Sequence, residues 1–236
     1  MIFRTIIKPS LILTGVVFAS SFALSHIYKI TEPSITRQKA EKEKEALLIV
    51  LPDFAIGEEK TDIRDDSVFH YWVGEKKNED TTVSVAYAFI TESQGYSGEI
   101  RSMIGIGADG HIIGIYIIEQ TETPGLGARA VEGSASSTIW GSLRKMINGE
   151  EIEPDGYPWF QRQFVGLNAK QEIHIEKIGD WTPEKEQALL DRNAITAITG
   201  ATITGRAVIK SIEQGCERLS SILEKELEKE KELEVR

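Results

Sequence analysis

The residues predict an α+β protein in which a single N-terminal transmembrane helix leads into one globular domain with a mainly antiparallel sheet and a C-terminal helix. Three observations carry that prediction. From Pro9 to Tyr28 no side chain bears a formal charge, and most of Leu11 to Leu24 is apolar, enough helix to cross roughly 30 Å of hydrocarbon. Apolar residues dominate Ile100–Ile106 and Ile112–Ile118 on either side of Asp109-Gly110, the pattern of two strands joined by a tight turn. Val208, Ile212, Cys216, Leu219, Leu223 and Leu227 recur at steps of three or four, which places them on one face of a helix.

In chain order, residues 1–8 carry Arg4 and Lys8 ahead of the span at 9–28. A basic start and Ala23-Leu24-Ser25 also resemble a cleaved signal peptide, but the uncharged run exceeds an ordinary signal core, so the helix is expected to be retained. Basic residues on both sides, Arg4 and Lys8 against Lys29, Arg37, Lys39, Lys42 and Lys44, leave its orientation open on charge alone. Residues 29–52 read as a charged, helix-prone stalk ending in the apolar Leu47–Leu51. The domain is expected over 53–224, with Val83–Ile90 as a strand. Glu172–Ile178 alternates charged and apolar residues like a half-exposed strand. Thr182 then suits a helix cap and Pro183 the first helical position, while Glu184 and Glu186 complement the positive end of a helix running through Ala188-Leu189-Leu190. Residues 225–236, mostly Glu and Lys, read as a solvated helix end.

Composition excludes several classes of function. A net charge of −10 opposes nucleic-acid binding, which depends on Lys and Arg neutralising phosphates. One cysteine, Cys216, permits no internal disulfide and no thiolate cluster for iron–sulfur or zinc. Its place on the helix face makes it a core residue rather than a reactive thiol. His26, His70, His111 and His174 lack ligand spacing, so no metal and no catalytic histidine are expected.

Thr199-Gly200-Ala201-Thr202-Ile203-Thr204 sets small residues among hydroxyls just before the last helix. A helix N-terminus offers unpaired N–H groups and a positive dipole end, a natural seat for a phosphate. On the residues alone, a threonine cap at Thr202 after a glycine turn explains the same segment. With Thr202 as cap, Thr204 falls in the first turn with its side chain projecting outward. Glu122-Thr123-Pro124-Gly125-Leu126-Gly127 is likewise either a plain surface turn or part of a site.

Together these segments resemble a known pattern. The first resembles the flavinylation motif Asp-x-x-Ser/Thr-Gly-Ala-Ser/Thr-x-Ser/Thr, whose last hydroxyl carries FMN through a phosphodiester. Thr204 stands at that position, and Thr196 where the motif has Asp. The second resembles the Glu-Thr-Pro-Gly-Leu-Gly loop of the same proteins. With the N-terminal anchor, Gly95-Tyr96-Ser97-Gly98, Trp159-Phe160, Gln163-Phe164 and Gly166-Leu167, nearly the whole chain is similar to the G subunit of the Rnf ion-translocating ferredoxin:NAD oxidoreductase complex. The flavin motifs are shared with the C subunit of the sodium-translocating NADH:quinone reductase, the alternative within the class. A membrane-anchored scaffold with a vestigial flavin site and a free-standing flavin reductase are alternatives outside it.

The resemblance implies covalent FMN on Thr204 and electron transfer coupled to sodium or proton translocation, with no catalytic acid or base. Thr199, Gly200, Ala201 and Thr202 would surround the phosphate, and Glu122, Thr123, Gly125 and Leu126 would lie against the flavin. Trp140, Trp159 and Phe160 are candidates to shield the ring. A flavin transferase and the other membrane and peripheral subunits would be partners. Arg4 and Lys8 would lie in the cytoplasm and the domain outside it, anchored to the inner membrane.

Overall fold

The computed structural model describes residues 7–64, 67–77, 83–132, 157–176 and 183–234. The chain divides into two compact units, Met1–Lys44 and Glu45–Arg236. Most of helix α1 (Lys8–Val50) lies in the first. Between Leu11 and Ile30 its large apolar side chains are exposed, as for a helix long and apolar enough to cross a membrane. Thr14 and Thr31 return their hydroxyls to the carbonyls of Ser10 and Ile27, so these polar groups are satisfied within the helix. Arg37 pairs with Glu41 one turn on, at 2.9 Å, on the charged stretch.

The second unit is built on a six-stranded antiparallel sheet. Its main path runs β1 (Ala55–Ile56), β3 (Ser67–Lys77), β4 (Val83–Gln94), β5 (Glu99–Gly107) and β6 (Ile112–Gln120), with β2 (Lys60–Arg64) sharing the outer edge of β3 with β1. The expected hairpin is β5–β6, paired from Ile100↔Gln120 to Ile106↔Ile112 with register shifts after Arg101 and after Gly105, and Gly110 adopts φ +94° in the turn. The strand expected at Val83–Ile90 extends to Gln94 and pairs with β3 on one side and β5 on the other. The pleat sorts the side chains of β4. Tyr87 and Phe89 face one core with Ile104, Ile115 and Ile117, whereas Ala86, Ala88 and Ile90 face another with Trp72, Met103 and Ile118.

The first face is covered by the last helix, α4 (Thr202–Glu234). Val208, Ile212, Cys216 and Leu219 are buried there as the spacing predicts; Leu223 is partly buried and Leu227 is exposed. The second face is covered by Ala46, Val50 and Leu51, all essentially inaccessible. The apolar end of the charged stretch therefore packs as core of the second unit, which begins at Glu45.

Segment 157–168 runs along the free edge of β6. Tyr157 closes a two-way contact with Ile115, whose N–H donates to the phenol at 2.9 Å and whose carbonyl accepts from it. On the short helix α2 (Trp159–Arg162), Gln161 accepts from Ile117 N–H at 3.3 Å and donates to the Ala130 carbonyl at 3.0 Å. Ile112 exchanges backbone bonds with Gly166 and Leu167. Beyond it, β7 (His174–Glu176) and β8 (Ala194–Thr196) form a small parallel pair joined through α3 (Pro183–Leu190), a departure from the otherwise antiparallel plan. Of the strand expected over Glu172–Ile178, His174–Glu176 forms one, Glu172 and Ile173 are irregular, and residues 177 and 178 lie outside the described residues. Thr182 and Trp140 lie outside the described residues.

Candidate functional site

Two segments far apart in sequence meet at the start of α4. Residues 198–201 make a turn closed by Ala201 N–H on the Ile198 carbonyl, at 2.9 Å. Gly200 supplies φ +79° in it, a conformation L side chains avoid. Opposite lies the stretch from the end of β6 to a 3-10 helix at Gly127–Val131. A cavity of about 400 Å³ opens between them, lined by Glu122, Thr123, Leu126 and Gly127 on one side and by Gly200 to Thr204 on the other, with Tyr96 at its edge. That volume falls within the range of cofactor clefts.

The helix begins at Thr202, and its first intrahelical bond runs from Gly205 N–H to the Ala201 carbonyl, at 3.3 Å. Ala201 is therefore the cap residue. The expectation that Thr202 caps the helix is corrected: it is the first residue inside, half-buried, and its hydroxyl has no hydrogen-bond partner among the described residues. Alanine at the cap position offers no side-chain acceptor, so the first N–H groups of the helix, at the cavity wall, have no intrahelical acceptor.

Thr204 behaves in the opposite way. Its hydroxyl does not project outward as expected; the residue is 1% exposed, and its Oγ1 donates to Glu122 Oε2 at 2.6 Å. The second carboxylate oxygen, Oε1, accepts Ser97 N–H at 3.1 Å. Glu122 is thus a buried carboxylate held by two donors from separate segments, as burial of such a group demands. Gly127 makes room for the pair. A Cβ there would fall 2.6 Å from Thr204 Oγ1 and collide with Glu122 Oε2.

Of the residues singled out in the sequence, Glu122, Thr123, Leu126, Gly200, Ala201, Thr202 and Thr204 line the cavity, and Thr199 and Gly125 do not. Thr199 is exposed one residue outside it. Gly125 has φ +75° in the turn that carries Leu126. Gly127, the last residue of the loop expected against the flavin, lines the cavity too, and two lining residues escaped sequence reasoning: Tyr96 and Ile203. Each stood inside a segment already marked, but nothing in the sequence says which way it faces. Tyr96, Leu126 and Ile203 are 70%, 43% and 53% exposed, an apolar rim around a polar floor. Phe160 is fully buried against Phe164, at 5.3 Å between ring centres, and Trp159 packs on its edge. Both belong to the core and neither reaches the cavity.

Thr196, at the first position of the motif, is buried on β8. Gln163 accepts its N–H at 2.7 Å and donates to its carbonyl at 3.5 Å, while its hydroxyl has no partner among the described residues. Among the same residues no group of His, Cys, Asp and Glu could hold a metal.

Residues 95–217 match the family model of the FMN-binding domain. Along most of its length the chain is similar to curated proteins. The G subunit of the Na(+)-translocating ferredoxin:NAD(+) oxidoreductase complex of Acetobacterium woodii is 29% identical, over 89% of each chain. The G subunit of the proton-translocating ferredoxin:NAD(+) oxidoreductase complex of Clostridium ljungdahlii is 26% identical, again over 89% of each. Among solved structures, the C subunit of the Na(+)-translocating NADH-quinone reductase of Parabacteroides distasonis is 17% identical with a TM-score of 0.48, covering 78% of this chain and 92% of that one.

Proposed function

The chain belongs to the FMN-binding domain family, and from that premise we propose that it is the flavin-carrying electron-transfer subunit of a membrane-bound ferredoxin:NAD oxidoreductase complex that translocates sodium or protons. FMN is joined through its phosphate to Thr204 by a flavin transferase. The names of the relatives that match nearly end to end support the complex. The observation that carries the attachment is the meeting of an uncapped helix start with the Thr204 hydroxyl on one cavity wall.

The residues present fit such a group. The first-turn N–H groups of α4 and the free hydroxyl of Thr202 are donors for phosphate oxygens. Tyr96, Leu126 and Ile203 offer apolar surface to a planar ring, whose cover would bury side chains now largely in water. Bound FMN supplies one- and two-electron chemistry. The chain's own part is to hold it, shield one side of it and fix its distance from neighbouring carriers, so no catalytic acid or base is needed for electron transfer.

The membrane helix anchors the protein, and the domain lies outside the cytoplasm. Thr204→Val keeps the shape and removes the acceptor. It is expected to abolish in-gel flavin fluorescence and the FMN increment in intact mass, with membrane insertion unchanged; flavin mass mapped to Thr199 or Thr202 would overturn the assignment. Orientation is tested by an impermeant thiol reagent on Glu58→Cys, at an exposed position. Cys216 is buried, and burial pushes its thiol up to about 12, so it stays silent. Labelling is expected in right-side-out cells, and labelling confined to inside-out vesicles would reverse the topology.

A further inference from the structure

We infer that Glu122 is the base that takes the proton of the Thr204 hydroxyl when the flavin is attached; the inference rests on Thr204 being the attachment residue. A threonine hydroxyl is a weak nucleophile until a neighbouring group removes its proton. Here the acceptor is already in contact, with Thr204 Oγ1 donating to Glu122 Oε2 at 2.6 Å, within the reach required of a general base. The carboxylate is oriented as well as near. Ser97 N–H fixes its other oxygen, and the positions a Cβ would occupy at Gly95 and Gly127 are filled by Glu122 Oε1 and Oε2 respectively. Two glycines from different segments thus leave space for one side chain. A surface turn has no use for such a cradle around a buried acid.

The reaction balances with a donor in which the 5′-phosphate of the flavin is held in an anhydride with a nucleoside monophosphate. Thr204 Oγ bonds to the flavin-side phosphorus, the P–O–P bond breaks, and the nucleoside monophosphate departs with the electron pair. The hydroxyl proton passes to Glu122 Oε2, and no oxidant or reductant is involved. Proton transfer also resolves a conflict of charge. The ester leaves an anionic phosphodiester where a hydrogen-bond donor had been, and a Glu122 that has gained the proton faces it neutral rather than as a second anion.

The test follows single-turnover flavin incorporation into the full-length protein, given flavin transferase and flavin adenine dinucleotide, by intact mass. Glu122→Gln, which can still accept the Thr204 hydrogen bond but cannot take the proton as a carboxylate does, is expected to slow incorporation by about 10²–10⁴-fold. Glu122→Asp, which keeps a carboxylate, is expected to be slower than the unaltered protein but faster than the Gln variant. Circular dichroism and thermal melting check that each variant is folded; if the Gln variant is not, Glu122→Asp against Glu122→Asn decides. Incorporation into folded Glu122→Gln within a few-fold of the unaltered rate would overturn the inference. So would a folded Glu122→Asp no faster than the amide variant, since Glu122 would then only position the hydroxyl. Flavin on Thr204→Val would instead overturn the attachment site itself, a result separate from either Glu122 outcome.

Discussion

The two ends of α4 meet the rest of the domain in opposite ways. At its start, polar contact is concentrated in one buried hydrogen bond, Thr204 to Glu122, beside a cavity. Farther along, polar contact is spread over a partly exposed network. Arg218 reaches Asp62 Oδ2, the Asp62 carbonyl and Ser67, and its guanidinium lies 5.1 Å from the Phe69 ring. Farther toward the C-terminus, Glu226 accepts from Tyr71 at 3.1 Å and pairs with Lys60 at 3.5 Å. Contacts of the second kind share their load, and losing one leaves its partner other donors or water. The buried pair is shut off from water, with the Ser97 N–H on the other Glu122 oxygen as its one reserve, so the helix start is where a small change is expected to be felt most.

Gly127→Val is the strongest way to break this contrast. Its side chain must occupy the space between Glu122 and Thr204. Covalent flavin should fall below detection by intact mass, and the midpoint of denaturant unfolding should drop by the equivalent of about 1–3 kcal/mol. Arg218→Ala sharpens the contrast from the other side. It removes several partly solvated bonds at once, for an expected loss of about 1–2 kcal/mol, with flavin content unchanged. If flavin were lost too, the two ends would not be independent.

The smallest effect concerns alkaline stability. Burial, then the bond to Glu226 and its charge, push Tyr71 up to about 12 from 10.0, so folding favours the protonated phenol. Its contribution is complete below the unfolded value and is lost as pH rises through the folded one. The melting temperature should therefore fall between about pH 10 and 12. Glu226→Gln should lower the Tyr71 titration, read as tyrosinate absorbance, and soften that fall while changing stability at pH 7 by under about 1 kcal/mol.

The same contrast explains how far the sequence could be read. The start of α4 is marked by clustered hydroxyls and small residues, whose types are constrained by local chemistry. β2 and β3 went unread because Tyr71 and Trp72 are adjacent and both buried, on opposite faces of the sheet, which cancels the alternation that marks a half-buried strand. With those strands unseen, residues from 225 onward looked free of partners, although Glu226 has two. The β5–β6 hairpin was legible from its apolar runs and Asp109-Gly110. Of the parallel β7–β8 pair, β7 was legible from the alternation of Glu172–Ile178, whereas β8, three residues buried throughout, and its pairing were not. At the site, sequence could nominate Glu122 and Thr204 but not the bond between them. It also assigned the cap to Thr202 because threonine is a good one, whereas the backbone bond to Ala201 shows the helix starting one residue earlier than that role needs. Leu47–Leu51 read as the end of a stalk because burial against a distant sheet leaves no local signature.

The segment beside β6 has a consequence for solubility. A sheet that is not closed into a barrel ends in a strand whose amide groups are ready to recruit a strand from another molecule, the first step toward fibrils. On β6 those groups are already engaged. The Tyr157 phenol contacts both the N–H and the carbonyl of Ile115, the Gln161 amide holds Ile117, and backbone from Gly166 and Leu167 holds Ile112. Side chains and the backbone of a neighbouring segment thus stand in for a missing strand, and an edge rich in isoleucine is kept from self-association.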